Sequence, residues 1–239
     1  MFHWSPAFER LLEPANVRTG QIVGGLGSGP GFLSMQLLDK VGPTGRVHAF
    51  DVSADFIAHT RQKAKAGGIS DRLTLHRLSS ERLPVEDATL DRIIAKNVMV
   101  YVDDPLETFQ EFRCILKPGG KAHAIDSDFA MVAIDPIPPQ DWRDLLDAAG
   151  HAFRTPNIGH KLYGLAHAGD FSSVDVKIMA AADTTGRLLN FAQNIAEYAR
   201  EVCTFDEARI QQIIYTEHVA LEVGNYFAVN LRLVVIATV

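Results

Sequence analysis

Between residues 21 and 128, short apolar β runs and amphipathic helical runs follow one another, and this alternation constrains the fold more than any other feature. QIVGGL (21–26), GRVHAFDV (45–52), RLTLHRL (72–78), part of LDRIIAKNVMVYV (90–102) and KAHAIDSD (121–128) read as five strands. PGFLSMQLLDKV (30–41) reads as a helix, as does SADFIAHTRQKAKAG, which Ser53 would cap. DPLETFQEFRCILKPGG places Leu106, Phe109, Phe112, Ile115 and Leu116 at helical spacing and ends at Pro118 and a glycine pair. Repeated β-α units with short connections predict a doubly wound, mostly parallel α/β sheet with right-handed crossovers.

After Asp128 the rhythm changes. Prolines stand at positions 136, 138 and 139, a helix led by Trp142 follows, and 151–171 is irregular. SSVDVKIMAAAD reads as a sixth strand. Two helical stretches come next, one with Leu188, Phe191, Ile195 and Tyr198 on a face, the other with Ile210, Ile213 and Ile214. NYFAVNLRLVVIATV closes the chain as a long final strand, so the helices before it form a cap insert.

Bulk properties remove several function classes. With 239 residues, 47% apolar and 22% charged, the chain carries a sizeable core. A net charge of −6 without a basic run argues against a nucleic-acid surface. The first residues lack a basic segment followed by an apolar one, and no apolar run nears the roughly 18 residues of a membrane span. A cytoplasmic protein is expected, with Cys114 and Cys203 as reduced, buried thiols. No dense His, Cys or acidic cluster suggests a metal.

The turn GLGSGPG after the first strand lies where an open parallel sheet binds ligands. It is not the dinucleotide pattern G-x-G-x-x-G, because position 30 is proline; it is G-x-G-x-G at Gly27, Gly29 and Gly31. Asp51 ends the second strand twenty residues beyond Gly31, where a carboxylate can accept both hydroxyls of a ribose. Together they point to a nucleoside.

GLGSGPGFLS, VGPTGRVHAFDVS, ISDRLTLHRLSSERLP, LDRIIAKNVMVYVDDP and ILKPGGKA, in that order, resemble the class I S-adenosylmethionine-dependent methyltransferases, especially the ubiquinone/menaquinone-biosynthesis-like small-molecule branch. The likeness covers roughly residues 5 to 130 and is looser beyond. It implies a Rossmann-like, seven-stranded sheet with an antiparallel last strand and S-adenosylmethionine as cofactor. The whole chain, 1–239, is then one domain: 1–20 an N-terminal helix or lid, 21–130 the cofactor-binding core, 131–225 the substrate side and cap, 226–239 the final strand. The resemblance assigns Gly27, Gly29 and Gly31 to the methionine portion, Asp51 to the ribose, Val52 to the adenine face, and Ser79, Ser80 and Glu81 to the adenine edge. It gives the backbone carbonyl of Asn97 to the cofactor's amino group.

Two positions depart from the family pattern. Gly25 stands where members have an acid two residues before the first glycine, and Leu78-Ser79-Ser80 replaces a glycine-aspartate-alanine segment. Weaker anchoring of the cofactor's amino group and adenine follows. On the reaction side, Asp126 and Asp128 end the fifth strand and can orient or deprotonate a hydroxyl or amine; Tyr101 and His160 are further catalytic candidates. His3, Trp4, Met99, Tyr163, Tyr226 and Asn230 are candidates for the substrate pocket, with Phe227 beside them. The leading reading is in-line methyl transfer to O, N or C of a small, partly apolar metabolite. Aminocarboxypropyl transfer or cyclisation on the same cofactor is the alternative, and a degenerate partner subunit the third. A homodimer is left open.

Overall fold

The computed structural model describes residues 6–80, 82–202 and 205–239. Its strands are β1 (Ile22–Leu26), β2 (Arg46–Asp51), β3 (Leu73–Arg77), β4 (Leu90–Lys96), β5 (Leu116–Ser127), β6 (Ala133–Asp135), β7 (Ser173–Asp183) and β8 (Phe227–Thr238). The helices are α1 (Pro6–Leu12), α2 (Phe32–Val41), α3 (Ala54–Ala66), α4 (Pro105–Ile115), α5 (Pro139–Ala148), α6 (Leu162–Ala168), α7 (Leu189–Glu201) and α8 (Glu207–Glu222). The sheet runs β3-β2-β1-β4-β5-β8-β6, with β7 also paired to β8. Strands β1 to β5 pair in parallel, and β6 and β8 antiparallel. The doubly wound Rossmann-like fold is therefore present with eight strands rather than seven. The extra one is β6, three residues just ahead of Pro136, too short to carry a readable alternation.

The chain divides into two compact units. The first takes in the chain up to Asp126, Lys161–Lys177 and Val234–Val239; the second comprises Ser127–His160 and Ile178–Leu233. In the first, α2 turns Leu33, Leu37, Leu38 and Val41 inward. Each such buried side chain contributes about 1.5–3 kcal/mol of transfer free energy before entropy is counted. Ser53 caps α3 by accepting the Phe56 N–H at 3.3 Å, as expected. Asp104 caps α4 through the N–H groups of Leu106 and Glu107. That helix stops at Ile115, short of Pro118, because β5 begins at once and a register shift against β4 absorbs Pro118-Gly119-Gly120. Cys114, expected to be buried, is exposed: the inward stripe of α4 is Thr108, Phe109, Phe112 and Ile115, and position 114 falls off it. Cys203 lies outside the described residues.

His123 on β5 is fully buried and holds α1 to the sheet, its Nε2 lying 2.8 Å from the Leu11 carbonyl. Burial lowers its pKa to about 4, so at neutral pH it is an uncharged ring donating from Nε2. In the second unit, α5 and α7 pack through aromatic edges. Phe191 lies 5.9 Å from Trp142 and 5.1 Å from Phe129, and Phe129 lies 4.9 Å from Phe153, ring centre to ring centre. Among the described residues no helix is long and apolar enough to cross a membrane.

Candidate functional site

The loop between β1 and α2 does what its glycines require. Gly27, Gly29 and Gly31 all have positive φ, at 65°, 52° and 87°. Gly31 is the N-cap of α2, and a Cβ there would meet Thr60 Oγ1 at 2.8 Å and Cγ2 at 2.9 Å. Gly29 differs: a Cβ on it would meet nothing within 4 Å, so the backbone is open on that side. These two glycines make separable predictions. Gly31→Ala is expected to lower stability by roughly 2–3 kcal/mol, from αL strain plus the collision with Thr60. Gly29→Ala should cost only about 1 kcal/mol, from αL strain alone, since an added Cβ meets no atom. Thermal unfolding checks both, and equal losses would reject the distinction.

Asp51 holds the loop in place. Its Oδ2 accepts the Gly29 N–H at 2.7 Å and its Oδ1 accepts the Ser53 N–H at 2.9 Å, with the residue 8% exposed. A carboxylate offers about four lone-pair directions, so two backbone donors leave capacity for further hydroxyl donors. Additional ties were not legible in the sequence. The Ser28 N–H donates to Phe50 O at 3.0 Å, Thr60 Oγ1 donates to Gly29 O at 3.4 Å, and Lys63 Nζ reaches Pro30 O at 3.2 Å. Thr60 had one signal, a polar residue on the inward face of α3 with Ile57 and Ala64.

The rest of this rim follows from strand ends. Val52, beside Asp51, is 71% exposed and presents a free apolar surface. Asn97, after β4, is a non-glycine residue at φ 52° whose N–H donates to Ile125 O at 2.8 Å. Gly27 abuts its neighbour Val98, whose Cγ2 lies 2.7 Å from where a Cβ would stand. Ser79 and Ser80 are exposed and line a cavity of about 590 Å³ with Arg77, Arg82, Glu86 and Asp87. Glu81, His3 and Trp4 lie outside the described residues.

Gly25 lies within β1, and a Cβ there would stand 3.4 Å from Leu33 Cδ2 and 3.5 Å from Leu37 Cδ1. Position 25 therefore points a side chain at the apolar face of α2.

Of the reaction-side candidates, two come together. Asp128 is 1% exposed; its Oδ1 accepts the Ala130 N–H at 3.2 Å, and its Oδ2 accepts the His160 N–H at 3.3 Å and contacts His160 Nδ1 in a short hydrogen bond. The His160 side chain is half exposed. Gly159 makes the approach possible: a Cβ on it would lie 2.9 Å from the Asp128 nitrogen. Asp126 is buried and accepts the Val100 N–H at 3.4 Å, whereas Tyr101 is half exposed. Met99 is fully buried in the core, and Tyr163 is exposed and stacks edge-on with His167 at 4.6 Å. Tyr226 and Asn230 are buried in the second unit, and among the described residues the Tyr226 hydroxyl and Asn230 Oδ1 have no partner, while Phe227 is exposed.

A group the sequence reading passed over is Glu217. It is fully buried, neither carboxyl oxygen has a partner among the described residues, and burial pushes its pKa up to about 8. The signal was present: on α8 the inward positions run Ile210, Ile213, Glu217 and Ala220.

A parallel sheet in this order, with a positive-φ glycine loop after β1 and an acid ending β2, is a doubly wound Rossmann-like fold. Comparison narrows the class. Residues 23–120 match the family described as methyltransferase domain. The chain is 31% identical over 105 residues to the biotin biosynthesis bifunctional protein BioHC of Teredinibacter turnerae, a match covering 42% of this chain and 18% of the relative. It is 30% identical over 128 residues to the ubiquinone/menaquinone biosynthesis C-methyltransferase UbiE of Bordetella avium, covering 54% and 48%. The chain thus spans about half or less of the curated relatives it matches. In fold it is similar to phosphoethanolamine N-methyltransferase 2 of Haemonchus contortus, solved with S-adenosyl-L-methionine: the TM-score is 0.62 at 15% identity, covering 97% of this chain and 52% of the other.

Proposed function

We propose that this protein is an S-adenosylmethionine-dependent methyltransferase acting on a hydroxyl or amine of a small, partly apolar acceptor. The observation that carries the cofactor assignment is the Asp51–Gly29 tie beneath a loop that is open above Gly29. The residues present fit the group. Gly27, Gly29 and Gly31 would leave backbone room for its methionine portion, Asp51 keeps lone pairs for the ribose hydroxyls, and exposed Val52 would cover the adenine. Ser79, Ser80 and Glu81 would serve the adenine edge, and the Asn97 carbonyl the amino group. Bound there, S-adenosylmethionine would supply an electrophilic methyl group on a sulfonium sulfur.

Methyl transfer is a displacement that chiefly demands alignment of the nucleophile. A protic acceptor must also lose its proton, and the His160–Asp128 pair supports that step. Asp128 would fix the Nδ1–H tautomer of His160, leaving Nε2 as the proton acceptor. Asp126, Tyr101, Tyr226, Asn230 and the pocket candidates His3, Trp4, Met99 and Tyr163 would at most shape the acceptor site.

Calorimetric titration with S-adenosylmethionine and S-adenosylhomocysteine tests the cofactor assignment. Wild type should bind both in the micromolar range, and Asp51→Ala should weaken binding by roughly a hundredfold, the loss of charge-assisted contacts plus the untied loop. Product analysis with candidate acceptors should give S-adenosylhomocysteine; methylthioadenosine instead would point to transfer of the aminocarboxypropyl arm. Absence of binding by wild type would overturn the reading.

A further inference from the structure

Strand β7 is the feature that neither the fold nor the proposed reaction explains. It is eleven residues long and, among the described residues, hydrogen-bonds to a single neighbouring strand, β8. Of those residues, 174 and 179 are half-buried, 183 is buried, and the other eight are exposed. Val176 is 40% exposed and Ile178 66%. A long apolar edge strand is a template for another strand, and proteins ordinarily shorten, cover or charge such edges.

Its sequence is self-complementary. The Ser172 N–H donates to Thr238 O at 2.8 Å. A regular strand continued from that bond turns even-numbered backbone groups toward β8 and those of 173, 175, 177 and 179 outward. An antiparallel partner must therefore pair odd residues with odd residues. The register centred on Val176 satisfies this, placing Asp175 opposite Lys177 of the second copy and Lys177 opposite its Asp175. On the other side of the ribbon, Val174 meets Ile178, Val176 meets Val176, and Ile178 meets Val174. Both charged pairs are attractive, and all three apolar pairs join β-branched residues, the combinations that favour cross-strand contact. Lys177 would guard the edge of an isolated monomer; opposite an aspartate it selects this register.

We propose that β7 is a homodimer interface, in which two copies of the chain join antiparallel about a two-fold axis at Val176. Both chains then share one continuous sheet, and the contact is isologous.

Sedimentation equilibrium of the full chain tests this across concentrations up to about 100 µM. Wild type should dimerise within that range. Asp175→Lys and Lys177→Asp should each weaken the dimer by roughly tenfold or more, because every single swap places like charges opposite each other twice. The double swap, Asp175→Lys with Lys177→Asp, should restore wild-type affinity. All these positions are exposed, so circular dichroism should show unchanged folds. A monomer at the highest concentration overturns the proposal, as does a dimer indifferent to the single swaps. A dimer broken by both single swaps and not restored by the double swap overturns the register and the proposal with it.

Discussion

His160→Ala is expected to lower turnover about a hundredfold or more while leaving cofactor affinity within a factor of about two. The expectation rests on how the imidazole is held. Its Nδ1 faces a carboxylate that is 1% exposed and already accepts two backbone N–H groups. A carboxylate placed there would favour a proton on Nδ1 and leave the lone pair on Nε2 of a half-exposed side chain. A histidine serving only as packing would not need its second nitrogen free. Asp128 is a positioning residue in this scheme, and Asp128→Asn should cost about tenfold or more by loosening tautomer and orientation. Imidazole in solution separates the roles: it should restore part of the rate of His160→Ala and none of that of Asp128→Asn. The measurement is release of S-adenosylhomocysteine with whichever acceptor wild type turns over. A His160→Ala rate within twofold of wild type would remove the residue from the chemistry and leave the cofactor assignment standing.

That pair also marks where reading the sequence stops. The β1–loop–α2 unit was legible because glycine spacing and hydrophobic period are local, and the three positive-φ glycines stand where the spacing put them. Asp51 was legible as a site, but not its bond to Gly29, which depends on how β2 lies beside β1. Asp128 and His160 were both singled out, yet nothing local joins residues 32 apart across an irregular segment; the join depends on Gly159 fitting against the Asp128 backbone. Cys114 and Glu217 are different failures. In both cases the helical period held the answer, since position 114 is off the stripe of α4 and 217 is on that of α8. Gly25 gains a physical meaning that the family pattern did not give it: a carboxylate there would enter beside Leu33 and Leu37.

Glu217 should make the protein lose stability as pH rises through neutrality. Its carboxyl titrates near 4.5 in an ordinary setting and is pushed up to about 8 by burial. Between these values the native state keeps a proton that the unfolded chain has given up, so each pH unit costs about 1.4 kcal/mol. The contribution is fully present below pH 4.5, declines through the window and levels off above about 8. His48 and His123, each lowered to about 4 with burial as the first cause, have the opposite sign, but both states of each ring are neutral above about pH 6.5. The interval from about 6.5 to 8 therefore isolates Glu217, and denaturant unfolding should register a fall of about 2 kcal/mol across it. Glu217→Gln should flatten that slope. Glu217→Leu should flatten it and also remove two unpartnered oxygens from the stripe of Ile210, Ile213 and Ala220, gaining roughly 3–5 kcal/mol at pH 8.5 and less at pH 5. Retention of the slope in both variants would mean another group carries the proton. A stable leucine variant that also loses turnover would show that the cost of burying this carboxyl is tied to activity and not to the fold.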